Sequence, residues 1–142
     1  MVHALEQTWR VLRVGGWLLD LRPLGTAWLL EVVGRGTRIL VGHLDDRRGI
    51  EDDVASDLAI AEAVRRGWFE KEQETFFEYS YYWDTVDGMV AFIEEEWDDL
   101  AVVPEDVLAD AHRLLPLAGE ETQIRVRRTM LLATYQRLET VF

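Results

Sequence analysis

The sequence predicts a single mixed α/β domain over residues 1–142, of the α+β kind when the chain is taken in isolation. Three features predict it: helical spacing of apolar residues over 50–66 that stops at Gly67, alternating aromatics within 68–83, and a short apolar run, Trp17 to Leu21, behind a glycine pair. A chain of this length buries roughly two thirds of its unfolded surface and folds without staples. The absence of cysteine excludes a disulfide scaffold and any zinc site with thiolate ligands, and His3, His43 and His112 lie far apart in sequence. The 27 acids against 15 bases give a formal net charge of -12, the wrong sign for a general nucleic-acid binder. No stretch approaches the roughly 20 consecutive apolar residues of a membrane span, and the first residues lack a basic region followed by an apolar run. The expectation is a soluble, cytoplasmic protein with neither nucleic acid nor membrane as a partner.

Residues 2–13 place Leu5, Trp9 and Leu12 at spacings of four and three, and Gly15 and Gly16 follow, which reads as a helix stopped by glycine. The run Trp17, Leu18, Leu19, Asp20, Leu21, ended by Arg22 and Pro23, is too short for a helix and suits a strand buried on both faces. Residues 27–33 and 37–44 read as two strands joined by Gly34, Arg35 and Gly36. Because strands flank the glycines on both sides, this is a hairpin turn rather than a phosphate-cradling loop, which needs a helix on one side.

Over residues 50–66, Ile50, Val54, Leu58, Ala61 and Val64 form the expected inward stripe of a helix. Acids (Glu51, Asp52, Asp53) are expected in its first turn and arginines (Arg65, Arg66) in its last, the signs that the helix dipole favours. Trp68 to Trp83 reads as a long strand with Phe77, Tyr79, Tyr81 and Trp83 on one face, and with aromatics on both faces little of it should meet water. Thr85 can cap a helix with Val86, Met89, Val90, Ile93 and Trp97 inward. Pro104 opens another, with Val107, Leu108, Ala111, Leu114 and Leu115 inward, ended by Pro116 and Gly119. Residues 123–135 alternate at first and then become apolar, a closing strand that is interior for part of its length.

The donors His43, Asp45, Asp46, Glu51, Asp52 and Asp53 match no calcium-loop spacing and read as a solvated turn and helix start; the run Glu94 to Asp99 reads as a wet helix face. No hydroxyl sits in a nucleophile elbow, and His112 has no identifiable acid partner, so no catalytic residue and no metal ligand is assigned. One feature points to ligand binding. In the series Phe76, Phe77, Tyr79, Tyr81, Tyr82 and Trp83, the tyrosines and the tryptophan combine a flat apolar face with a polar tip, which suits a planar or cationic organic molecule, although a sheet packed on helices explains the series too. The candidate pocket is Trp28, His43, Tyr79, Tyr81 and Trp83, enclosed by the hairpin and the aromatic strand.

Leu5 and Glu6, then Arg10, Val11, Leu12, Arg13, Val14, Gly15, Gly16, Trp17, Leu18 and Leu19, resemble the helix, glycine turn and fifth strand of class I S-adenosylmethionine-dependent methyltransferases. Val14 stands where the family usually has proline. The later order agrees as well: a helix, then two long strands that in the family pair antiparallel at one sheet edge, with variable insertions between them. The resemblance implies a partial Rossmann-like methyltransferase sheet with a hairpin and covering helices, lacking the N-terminal cofactor-binding half. The family holds its cofactor with a glycine-rich loop after the first strand, an acid ending the second and residues at the end of the fourth. None of these has a counterpart here, so no cofactor-binding residue is carried over, and S-adenosylmethionine enters only if a partner supplies a front half.

The resemblance thus implies a methyltransferase-like domain that is catalytically silent alone. In the family the strand equivalent to Trp17–Leu21 is paired and covered by the fourth strand. Here that edge must be shielded by the hairpin, by a second copy in a homodimer, or by a separately encoded methyltransferase N-terminal half. The alternative is a stand-alone module that binds a small molecule in the aromatic-lined pocket.

Overall fold

The computed structural model describes residues 1–139 and contains four helices and five strands. In chain order these are α1 (Val2–Val11), β1 (Trp17–Pro23), β2 (Leu29–Gly34), β3 (Thr37–His43), α2 (Arg47–Arg65), β4 (Phe69–Trp83), α3 (Val86–Glu96), α4 (Glu105–Leu117) and β5 (Gln123–Arg137). The strands form an open antiparallel sheet in the order β1-β5-β2-β3, with β4 also paired to β5. β5 is therefore the central strand, which explains its interior character.

By contacts the chain divides into two compact units. The first comprises Met1–Leu24, Glu51–Phe77 and the chain from Met130 onward. Within it β1 runs antiparallel to the second half of β5, from Trp17 opposite Gln136 to Pro23 opposite Met130. Its core is Ala63, Phe69, Leu131, Ala133 and Tyr135, against which Leu5 and Trp9 of α1 and Leu12 just after it pack at the predicted spacing. Trp9 and Trp68 stack at 5.9 Å. The chain leaves the helical path at Leu12, whose extended backbone ends α1 two residues earlier than the glycine pair suggested.

Two expectations fail in this unit, both about which face is covered. β1 is not buried on both sides: Trp17, Leu19 and Leu21 are 53%, 63% and 59% exposed, because the helices cover one face only and β1 ends the sheet. On α2 the stripe Ile50, Val54, Leu58 and Val64 is exposed, while Ala59 and Ala63, with Ile60, face the core. A helix carrying two apolar stripes buries the one that fits, and here the small alanine side allows close approach to the sheet. The helix also begins at Arg47, which puts Glu51–Asp53 in its second turn rather than its first. Gly67, at φ +73, provides the left-handed residue that ends it.

The second unit comprises Gly25–Ile50 and Glu78–Thr129. The hairpin forms as expected, turning at Gly36 with φ +67. Its β2 strand pairs with the first half of β5, Leu29 opposite Arg127 through Val33 opposite Gln123. Leu30, Val32, Ile124 and Val126 share one face and pack with Val86, Met89, Ile93 and Trp97 of α3 and its end, and with Val107 and Ala111 of α4. Thr85 caps α3, its hydroxyl accepting from the Gly88 amide at 3.0 Å. The long strand β4 corrects the sequence reading: Glu70 through Tyr79 are all exposed, since β4 pairs with β5 alone and its aromatics are covered only near Tyr81 and Trp83.

Candidate functional site

Strand geometry dictates the site. In β5 the residues Ile124, Val126 and Arg128 share one face and Arg125 and Arg127 the other. Consecutive arginines at 127 and 128 therefore put one guanidinium on each side of the sheet, and Arg128 falls on the apolar side.

On the polar face, Glu31 lies opposite Arg125 and is only 1% exposed. Its carboxylate accepts from Arg125 Nε at 2.8 Å, Arg127 Nη2 at 2.9 Å and Arg38 Nε at 3.2 Å. Burial alone would raise the Glu31 pKa; the hydrogen bonds from Arg125 and Arg127 outweigh it and hold the carboxyl below its ordinary value. Arg127 also donates to Glu78 at 2.5 Å.

On the apolar face, the Arg128 guanidinium carbon lies 4.9 Å from the ring centre of Trp28, 5.0 Å from that of Tyr81 and 5.2 Å from that of Trp97. Its Nη2 donates to the Tyr81 hydroxyl at 2.8 Å. Among the described residues no carboxylate comes within ion-pair distance of it, so the ring faces and one phenol stand in for a counter-charge. Burial lowers the Arg128 pKa, with the Tyr81 oxygen pulling the other way.

Beside Arg128 is a hollow of about 180 Å³ at the place where β2 parts from β5. Thr26, Trp28, His43, Arg127, Arg128 and Thr129 line it, and Glu78 stands at its wall. Both Arg127 Nε and Arg128 Nε are buried without a hydrogen-bond partner. Ala27, also in the lining, has φ +54, a left-handed conformation costly for a residue with a Cβ. The buried Asp46 carboxylate holds it there, accepting from the Ala27 amide at 3.1 Å.

No family model matches this chain, and neither do any curated protein or solved structure.

Of the five pocket residues read from the sequence, Trp28 and His43 line the hollow and Tyr81 borders Arg128. Trp83 stacks on Tyr81 at 6.1 Å, one ring removed, and Tyr79 meets the Tyr81 edge at 5.0 Å while half exposed. The cation held by Trp28 and Tyr81, together with Trp97, is the protein's own Arg128. Sequence reasoning missed Arg127, Arg128, Glu31 and Trp97. The signal for Arg128 was present, a second consecutive arginine interrupting an alternating strand. His112, which the sequence left without an acid, has the Asp87 carboxylate at 3.8 Å, and the nearby Thr85 hydroxyl is engaged in capping α3. Among the described residues no three histidine, aspartate or glutamate side chains converge as a metal site, and no helix is long and apolar enough to cross a membrane.

Proposed function

We propose that this protein is a methyltransferase-like half-fold that binds no S-adenosylmethionine by itself and associates with a second copy through the β1 edge. The observation that carries the reading is the row Trp17, Leu19 and Leu21, each more than half exposed on a strand that ends the sheet. An edge strand without charges along its apolar row is a template for further pairing. Arg22, the basic residue of β1, is taken up by Asp20 at 3.2 Å, by Asp53 at 3.4 Å and by Asp57, so its charge does not protect the edge. Two-fold antiparallel pairing of β1 with itself sets each apolar row against its copy and requires no other gene product.

The order α1, glycine turn, β1, then after the β2–β3 hairpin α2 and β4, and after α3 and α4 the strand β5, which pairs with both β1 and β4, supports the methyltransferase resemblance, since the family pairs its last two strands antiparallel beside the fifth. The edge left open is the one that the fourth strand occupies there. Light scattering at micromolar concentration tests the association: a mass twice 16.5 kDa is expected, and a monomer overturns it. Calorimetric titration with S-adenosylmethionine and S-adenosylhomocysteine tests the rest. No binding is expected, and micromolar affinity would make the isolated chain a candidate enzyme instead.

A further inference from the structure

We propose that the hollow at Arg127 and Arg128 is a binding site for a small oxyanion, the carboxylate or phosphate group of a metabolite-sized molecule. The proposal is independent of association through β1. It rests on three observations. First, Arg127 and Arg128 both line the hollow, and each has a buried Nε–H without a hydrogen-bond partner, a donor on a charged group that is costly to leave unpaired. Second, Arg128 carries a positive charge with no carboxylate in ion-pair distance among the described residues, in a chain of net charge -12 where acids are abundant. Acidic partners are available for Arg22, Arg65 and Arg66, which are paired, so the lack of one at Arg128 is a property of the site.

Third, the neutral groups around the arginines suit an oxyanion. Thr26 and Thr129 bring hydroxyls, His43 an imidazole, and Trp28 an apolar wall. At about 180 Å³ the space takes a group of several heavy atoms, well beyond a single water. A cationic ligand is disfavoured, since Arg128 already occupies the centre of the rings. Glu78 is the opposing charge at the wall. Its pairing with Arg127 at 2.5 Å makes it a built-in competitor for the entering anion.

The test uses the whole protein, labelled at arginine and held in chloride-free buffer, titrated separately with inorganic phosphate and with succinate while the Nε–H resonances are followed. The expected result is a saturable shift at Arg127 and Arg128 that the exposed Arg35, Arg47 and Arg113 do not share. The probe that saturates at lower concentration identifies the oxyanion. Glu78→Gln removes the competitor on an exposed side chain and is expected to tighten binding several-fold, whereas Arg128→Gln is expected to weaken it at least about tenfold. Should Arg128→Gln fail to fold, the wild-type and Glu78→Gln titrations decide the matter alone. Shifts spread evenly over all arginines, no saturation with either probe, or an affinity unimproved in Glu78→Gln would each overturn the site.

Discussion

Glu31 and Arg125 face each other directly across the β2–β5 ladder, and the carboxylate, 1% exposed, sits beneath the guanidinium with Nε at 2.8 Å. An acid in the middle of an apolar strand is thereby turned into a cross-strand tie. The same carboxylate collects Arg127 and Arg38, so one buried charge organises three arginines on the polar face of the second unit.

This tie makes stability acid-sensitive. Burial raises the Glu31 pKa, but the bonds from Arg125 and Arg127 hold it below the ordinary 4.5 in the folded state. The unfolded protein then binds the proton more readily, so the contribution is complete above about pH 4.5 and is lost as pH falls through the folded value. Urea midpoints measured from pH 7 to pH 3 are expected to fall in the wild type. Glu31→Gln is expected to lower stability at pH 7 by about 2–3 kcal/mol, less than a fully buried pair because the arginines keep some water, and to flatten the acid limb.

Helix α2 separates face from hydrophobicity. Leu58 is 67% exposed, so Leu58→Gln is expected to change stability by no more than about 0.5 kcal/mol. Ala59, at 3%, faces the core, and Ala59→Leu is expected to cost about 1–3 kcal/mol through overpacking. Thermal melts of the two variants check the orientation of the helix, because the periodicity of the sequence predicts the opposite ranking.

Ala27 carries backbone strain at φ +54. Ala27→Gly relieves about 1–2 kcal/mol of left-handed strain and gives back about 0.4–1 kcal/mol through the freer unfolded chain. A net gain of between about 0 and 1.6 kcal/mol in denaturant unfolding is expected.

Leu19→Lys places a charge in the exposed row of β1. The side chain is 63% exposed, so the fold is expected to keep its stability within about 0.5 kcal/mol while the mass in light scattering drops to 16.5 kDa. Loss of folding, read by circular dichroism, would show instead that Leu19 supports the fold of its own chain.

The site was partly legible. Trp28 and His43 line the hollow and Tyr81 borders Arg128, yet nothing in the aromatic pattern points to the arginine that fills the ring box. Alternation in Ile124, Arg125, Val126 and Arg127 shows a two-faced strand, and continuing the count by one residue already sends Arg128 to the apolar side. That Trp28 and Trp97 would meet it there was not legible, since 31 residues and more separate the parts and only the folding of β2 and α3 onto one face of β5 brings them together.

By itself the sequence determined the local elements: the α1 spacing of Leu5, Trp9 and Leu12, the hairpin at Gly36, the stop at Gly67 and the Thr85 cap. These follow from backbone sterics and from neighbours within a few residues. Tertiary structure alone decided which of two apolar stripes on α2 is buried, that β1 shows Trp17, Leu19 and Leu21 to water, and that an internal guanidinium occupies the aromatic box. The reason is physical: periodicity tells that the two sides of an element differ, but burial depends on which distant surface arrives to cover one of them, and an apolar side chain has no preference among partners that fit.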